Sequence, residues 1–295
     1  MSIPALTTKP TQVFEFISKV NGRDYRLVMT APETPPPPGG YPVLWALDGS
    51  GYHGLAVDML RVIGVIGGEC EPALVVAVTY PTEDINVCLT RRGLDLTPTV
   101  DDTDEMKIEA RESYTSGGLD GFLDMLSQEA LAEVQQRYVV DTARMALFGH
   151  SLGGLAALYA LFTRPTMFQS FVAFSPSIWW DHRALLGHEA AFAARVAAGE
   201  VAPRVLIAVG ATEQTRPDVI LPSSVSVSLE KIHEVIDKAR MVDNAAELAA
   251  RLQALTGAPG YTLRYHCPEG ETHVTLPSVV YAKALQMAFP PLAGR

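Results

Sequence analysis

The chain has little of what would tie it to metal, nucleic acid or membrane. It holds three cysteines, Cys70, Cys88 and Cys267, which are odd in number, widely spaced and free of any CxxC step. Neither a disulfide framework nor a zinc site is indicated, and the thiols read as packing groups. Basic residues are the minority, 23 Lys and Arg against 33 Asp and Glu, for a formal net charge of -10. A phosphate backbone is held by clustered cations, so a general affinity for nucleic acid or anionic membrane is excluded. No apolar run reaches bilayer length, and the opening MSIPALTTKPTQVFEF has no basic stretch followed by an apolar one, so a cytoplasmic protein is expected. His53, His182, His188 and His233 have no Cys or carboxylate at ligand spacing, and neither a metal nor a cofactor is expected.

What is abundant is apolar. Of 295 residues 48% are hydrophobic and 19% charged, enough to bury a large core in one domain spanning 1–295. VFEFISKV and DYRLVMT flank Asn21-Gly22, whose residues accept the positive φ of a tight turn, and predict an antiparallel edge hairpin. ETPPPPGG at 33–40 cannot supply ladder N–H groups and reads as a surface connector. Short continuous apolar runs follow at 42–49, 73–80, 144–151, 170–177, 204–211 and 262–267, alternating with helical segments such as 118–138. Strands apolar on both faces are covered on both faces, so the fold class is α/β, a doubly wound, mostly parallel sheet with an antiparallel N-terminal edge. The stretch 212–255, Pro- and Ser-rich and then helical, reads as a cap-like insertion over a ligand.

One motif carries chemistry. Gly149-His150-Ser151-Leu152-Gly153 follows the apolar strand RMALF and precedes a helix, the context in which G-x-S-x-G presents a nucleophile on a sharp turn. Ser151 is the expected nucleophile, with the Leu152 N–H at the helix N-terminus as an oxyanion donor. The second donor is expected from the loop after PVLWAL, at the Ser50 N–H. Acid and histidine should follow in that order. Glu213, just after RVLIAVG, and His273, in the loop PEGETHVTLP, satisfy it. Asp218, Asp237 and Asp243 are alternative acids; His266 is the alternative histidine, though its place within TLRYHC makes it a strand residue. His150, beside the nucleophile, is expected to point elsewhere.

With these residues in place, the sequence resembles the esterase D-like branch of the α/β-hydrolases, and within it the enterobactin and salmochelin esterases that open catecholate siderophores. The likeness spans most of the chain and rests on LWALDGSG at the oxyanion strand, RRGLDLTPT at 91–99, SGGLDGFLDML at 116–126, LFGHSLGGLAALYALF at 147–162, SPSIWWD at 175–181 and GETHVTLP at 270–277. It implies a serine esterase acting on a small-molecule siderophore, ferric or iron-free, with no cofactor, and it places Arg91 and Arg92 against the anionic ferric complex. An acidic protein also needs a local cationic site to receive such an anion. Trp179 and Trp180 are candidates for an aromatic wall against catechol rings. The chain looks like the shorter members of the group, several of them periplasmic, which opens that compartment as the alternative. Rival readings are a general carboxylesterase, a feruloyl-type esterase or an acyltransferase on the same triad, and a non-catalytic siderophore-binding module.

Overall fold

A computed structural model of the chain describes residues 11–100, 115–215 and 229–291. The Asn21-Gly22 turn forms as its sequence implies: Gly22 takes φ 73 between β1 (Thr11–Ile17) and β2 (Asp24–Thr30), which pair antiparallel with Ile17 opposite Asp24. The connector leads to β3 (Tyr41–Ala46), α1 (Gly49–Met59), which runs on into a π-helical segment at Leu60–Ile66, and β4 (Leu74–Thr79). Next come α2 (Ile85–Asp95), α3 (Leu119–Met125) and α4 (Leu131–Arg137), the last two joined by a π-helical segment at Leu126–Ala130. The chain then alternates through β5 (Val140–His150), α5 (Leu152–Thr163), β6 (Ser170–Phe174), α6 (Trp180–Arg183), α7 (Glu189–Ala197) and β7 (Arg204–Ala208). It closes with α8 (Leu229–Ala239), α9 (Met241–Gln253), β8 (Thr262–His266) and α10 (Leu276–Ala288).

The eight strands form one sheet in the order β1-β2-β4-β3-β5-β6-β7-β8, parallel from β4 to β8 with the hairpin antiparallel at one edge. β3 and β4 are buried at every position, which is why their sequences are unbroken apolar runs. Alternate residues serve two cores. Val43 and Trp45 face one, with buried residues of α3, α5, α7 and α9; Leu44 and Ala46 face the other, with Ala56, Leu60 and the buried side of α10. After β3 the chain steps to one side, to β4, and then returns to the other, to β5. The carboxyl ends of β3 and β5 therefore flank the topological switch point, where open α/β sheets leave a crevice.

The stretch expected to be a cap is divided. Residues 216–228 lie outside the described residues, but α9 packs on β7 and β8 with Met241, Ala245, Leu248 and Leu252 buried, spaced as one apolar face. It is the crossover helix of the last β-α-β unit and lies against the sheet, not over the site. Leu248→Ala is therefore expected to cost about 2–5 kcal/mol of unfolding free energy, read from denaturant midpoints at unchanged slope; a cap residue would leave the midpoint where it is.

Candidate active site

β5 ends at His150 and α5 begins at Leu152, leaving Ser151 alone between them at φ 58 and ψ -116. A non-glycine residue held there costs on the order of 1–3 kcal/mol and persists only where its surroundings fix it. They do so here. The Ser151 N–H donates to the Phe174 carbonyl at 2.9 Å, and the Ser151 carbonyl accepts from the N–H groups of Leu155 and Ser177. The turn is tight enough that a Cβ on Gly149 would strike the Gly153 carbonyl, and one on Gly153 would lie 2.9 Å from Asp48 Oδ2. Gly149 is there for close approach of backbone, and Gly153 leaves room for the Asp48 carboxylate.

Glu213 and His273 meet as the chain order requires. The loops after β7 and β8 bring His273 Nδ1 to 2.7 Å from Glu213 Oε2. The carboxylate side chain is 1% exposed, and its other oxygen accepts from Ser175 Oγ at 2.6 Å and from the Gly210 N–H at 2.6 Å. Burial alone would raise the pKa of Glu213; the hydrogen bonds from His273, Ser175 and Gly210 outweigh it and hold the group below its ordinary value. An ionised carboxylate only accepts, so Nδ1 of His273 carries the proton and Nε2 is left bare. Ser151 Oγ lies 3.4 Å from Ser177 Oγ, and Ser151 and His273 both line a cavity of about 340 Å³.

Leu152 is the first residue of α5 and Ser50 the second of α1, positions whose N–H groups have no carbonyl one turn back within their helix. Both helices start at the carboxyl ends of the switch-point strands, so two positive helix ends converge on the cavity. The loop before α1 is pinned by Arg92. Its Nε lies 2.5 Å from Asp48 Oδ1 and its terminal nitrogen 3.0 Å from Asp48 Oδ2, and the same nitrogen donates to the His150 carbonyl at 3.0 Å. One guanidinium thus joins the donor loop to the nucleophile turn.

Five residues differ from their sequence assignments. Arg91 is absent from the cavity lining: it pairs with Asp24 and stacks over the Tyr80 ring at 5.1 Å. Arg92 does line the cavity, but with its charge matched by Asp48. Trp180 is buried, its indole N–H donating to Thr99 Oγ1 at 3.1 Å, and Trp179 packs against the core; neither lines the cavity, whose aromatic side chains among the described residues are Tyr52, Tyr80 and Phe122. His150 does not point away but turns its ring against His273, with centroids 4.5 Å apart. His266 stays in β8 paired with Ala208, and Asp243 is bonded to Gln214 and Arg240. Asp237 sits in α8, and Asp218 lies outside the described residues. Ser175 and Ser177 lie in the SPSIWWD stretch, but neither they nor Tyr52 had a spacing that assigned them to the site. Cys88, read as a packing thiol, lies on the cavity wall.

A mostly parallel sheet whose central strand turns sharply into a helix at a serine, followed in the chain by an acid and then a histidine, is that of an α/β-hydrolase. Comparison with known proteins narrows the class. The chain belongs to the Esterase family, matching it over residues 18–239. It is 30% identical over 294 residues to the ferri-bacillibactin esterase BesA of Bacillus subtilis (strain 168), covering 97% of this chain and 92% of the relative. To the siderophore triacetylfusarinine C esterase of Aspergillus fumigatus it is 31% identical over 256 residues, covering 85% and 82%. Among solved structures, the BES protein from Bacillus cereus superposes with a TM-score of 0.80 at 26% identity, covering 98% of this chain and 99% of that one.

Proposed function

We propose that the protein hydrolyses ester bonds of a catecholate siderophore through Ser151, His273 and Glu213, opening an enterobactin-like trilactone so that its hold on iron weakens. The observation that carries this is full-length similarity to an esterase named for a ferric siderophore, coinciding with an intact histidine–glutamate pair beside the nucleophile turn. Ser151 Oγ attacks the ester carbonyl carbon while Nε2 of His273 takes the hydroxyl proton. The Leu152 and Ser50 N–H groups receive the oxyanion, and the tetrahedral intermediate collapses with the proton passed from His273 to the departing alkoxide. Water, deprotonated by the same nitrogen, then cleaves the acyl-enzyme.

Ferric and iron-free enterobactin, incubated with wild type and Ser151→Ala and followed by chromatography, test the reading. Ser151-dependent release of linear dihydroxybenzoylserine products is expected; hydrolysis of p-nitrophenyl butyrate alone would leave an esterase with another substrate. The similarity to a triacetylfusarinine C esterase favours a second reading, a siderophore ester of different backbone, and that compound belongs in the same panel.

Because Asp24 and Asp48 already match their charges, the two arginines are expected to behave differently from a pair of ligand cations. Arg91→Ala should change KM for the ferric siderophore by less than about threefold, in keeping with the small worth of a half-exposed ion pair. Arg92→Ala should act on kcat instead, by about tenfold or more, because it frees the donor loop from the nucleophile turn. Steady-state kinetics on the two variants separate these outcomes.

A further inference from the structure

We infer that His150 is a positioning residue that fixes the catalytic His273 by its main chain, with Tyr52 setting which nitrogen of His150 does so. The inference rests on the triad reading above and goes beyond it. His150 Nε2 lies 2.7 Å from the His273 carbonyl oxygen, and His150 Nδ1 lies 2.9 Å from the Tyr52 hydroxyl. A carbonyl only accepts, so the one proton of the neutral ring sits on Nε2. Nδ1 is then an acceptor, and the Tyr52 O–H donates to it. The hydrogen-bond directions are fixed from Tyr52 through His150 to His273.

Three parts of the site meet in this chain. Tyr52 lies in the first turn of α1, two residues past the oxyanion donor Ser50; His150 is the last residue of β5, before the nucleophile; His273 carries the base. The loop that bears His273 is exposed at Thr272, Val274 and Thr275, so local packing does little to hold it. Its earlier part is tied to the loop after β7, where the Glu271 carbonyl accepts from the Thr212 hydroxyl at 2.6 Å. At His273 itself the main chain is held by His150. Anchoring the carbonyl leaves both imidazole nitrogens for chemistry, Nδ1 for Glu213 and Nε2 for Ser151.

The ring must stay neutral for this, and its surroundings keep it so. The groups facing it are Tyr52 from α1, Arg92 from α2, His273 from the loop after β8 and, behind that, Glu213. Burial above all, with His273 and Arg92 nearby, pushes the pKa of His150 down to about 3. The Tyr52 phenol, driven up to about 12 by burial and by Asp48, keeps its proton as well. At neutral pH both groups hold the protonation that the two hydrogen bonds require.

Glutamine carries its amide nitrogen about where Nε2 of histidine sits, whereas asparagine reaches only as far as Nδ1. The test is hydrolysis of p-nitrophenyl butyrate by His150→Gln, His150→Asn and His150→Met, with kcat expressed per folded protein as measured by near-ultraviolet circular dichroism. His150→Asn and His150→Met should lose about 10²-fold in kcat, the effect of displacing a catalytic group by about 1 Å, with KM within about twofold. His150→Gln should recover most of that loss. Methionine fills the space without a donor, so it gives the same reading if the asparagine variant does not fold. Equal activity in the Gln, Asn and Met variants, whether high or low, would overturn the inference, as would a loss confined to KM. Ser151→Ala assayed alongside keeps the two readings apart. If it retains turnover, the triad itself fails; if it is inactive while the three variants are alike, only the role of His150 fails.

Discussion

Ser151→Ala is expected to lower kcat for p-nitrophenyl butyrate by on the order of 10⁶-fold, the scale on which a serine nucleophile and its histidine act as a unit. The residue has little structural work to lose. Among the described residues its hydroxyl has one hydrogen-bond partner, Ser177 Oγ at 3.4 Å, a distance that contributes little binding, while the main-chain bonds holding the turn use the Ser151 N–H and carbonyl, which alanine keeps. The melting temperature should therefore stay within about 2 °C of wild type, the shift produced by a few tenths of a kcal/mol. What activity remains should come from the two helix ends that receive the oxyanion. Ser177 brings the nearest hydroxyl among the hydrogen-bond partners of Ser151 in the described residues, but it is 2% exposed. Ser177→Ala retaining activity within about tenfold, the scale of a lost neutral hydrogen bond, beside an inactive Ser151→Ala, assigns the nucleophile; the reverse result would move it.

Glu213→Gln is the second large effect, about 10⁴-fold in kcat on the precedent of an acid-to-amide change in a triad. The carboxylate accepts three hydrogen bonds through two oxygens, from His273, Ser175 and Gly210. An amide offers one accepting oxygen. If that oxygen stays with the Gly210 N–H, the amide N–H₂ faces His273 Nδ1, and the imidazole must accept there and carry its proton on Nε2, where it cannot serve as a base. If the amide turns the other way, a buried N–H at Gly210 loses its partner, at a cost of about 1–3 kcal/mol. Stability should follow pH with a definite sign. The folded pKa of Glu213 is lowered, so the ionised group adds stability above the unfolded carboxylate value of about 4.3, and this is lost as pH falls through the lower folded value. The gap between wild type and Glu213→Gln in denaturant unfolding should thus be wide at pH 7 and narrow as pH falls below about 4.3; a gap that widened on acidification would contradict the assignment.

The sheet was legible because its strands are apolar on both faces, a pattern that needs covering layers and admits few topologies. The strand-to-helix turn at Ser151, the start of a helix at Leu152 and the meeting of Glu213 with His273 were legible for a related reason: each follows from the end of such a strand. What could not be seen was pairing across distance. Arg91 and Arg92 are neighbours in sequence, yet on a helix adjacent side chains diverge by about 100°, and each found its own acid, Asp24 and Asp48, 67 and 44 residues away. The contact between His150 and His273 spans 123 residues and had no local signature. The misplacement of α9 is different, because its signal was present. Met241, Ala245, Leu248 and Leu252 recur at helical spacing, the mark of a helix that covers a sheet, whatever the length of the stretch that carries it.

The sheet divides its labour at the switch point. Ser151, Ser175, Glu213 and His273 come from the ends of β5, β6, β7 and β8, while the cavity walls come mainly from the other half: Tyr52 after β3, Tyr80 after β4, Ile85 and Leu89 on α2, and Phe122 on α3. Mutational drift in that second half can reshape what enters the cavity without moving Ser151, Glu213 or His273. The acyl chemistry on one side is then a fixed engine, and new ester specificities are open to selection through substitutions on α2 and α3, each changing volume or polarity at the wall while the fold and the triad stay intact.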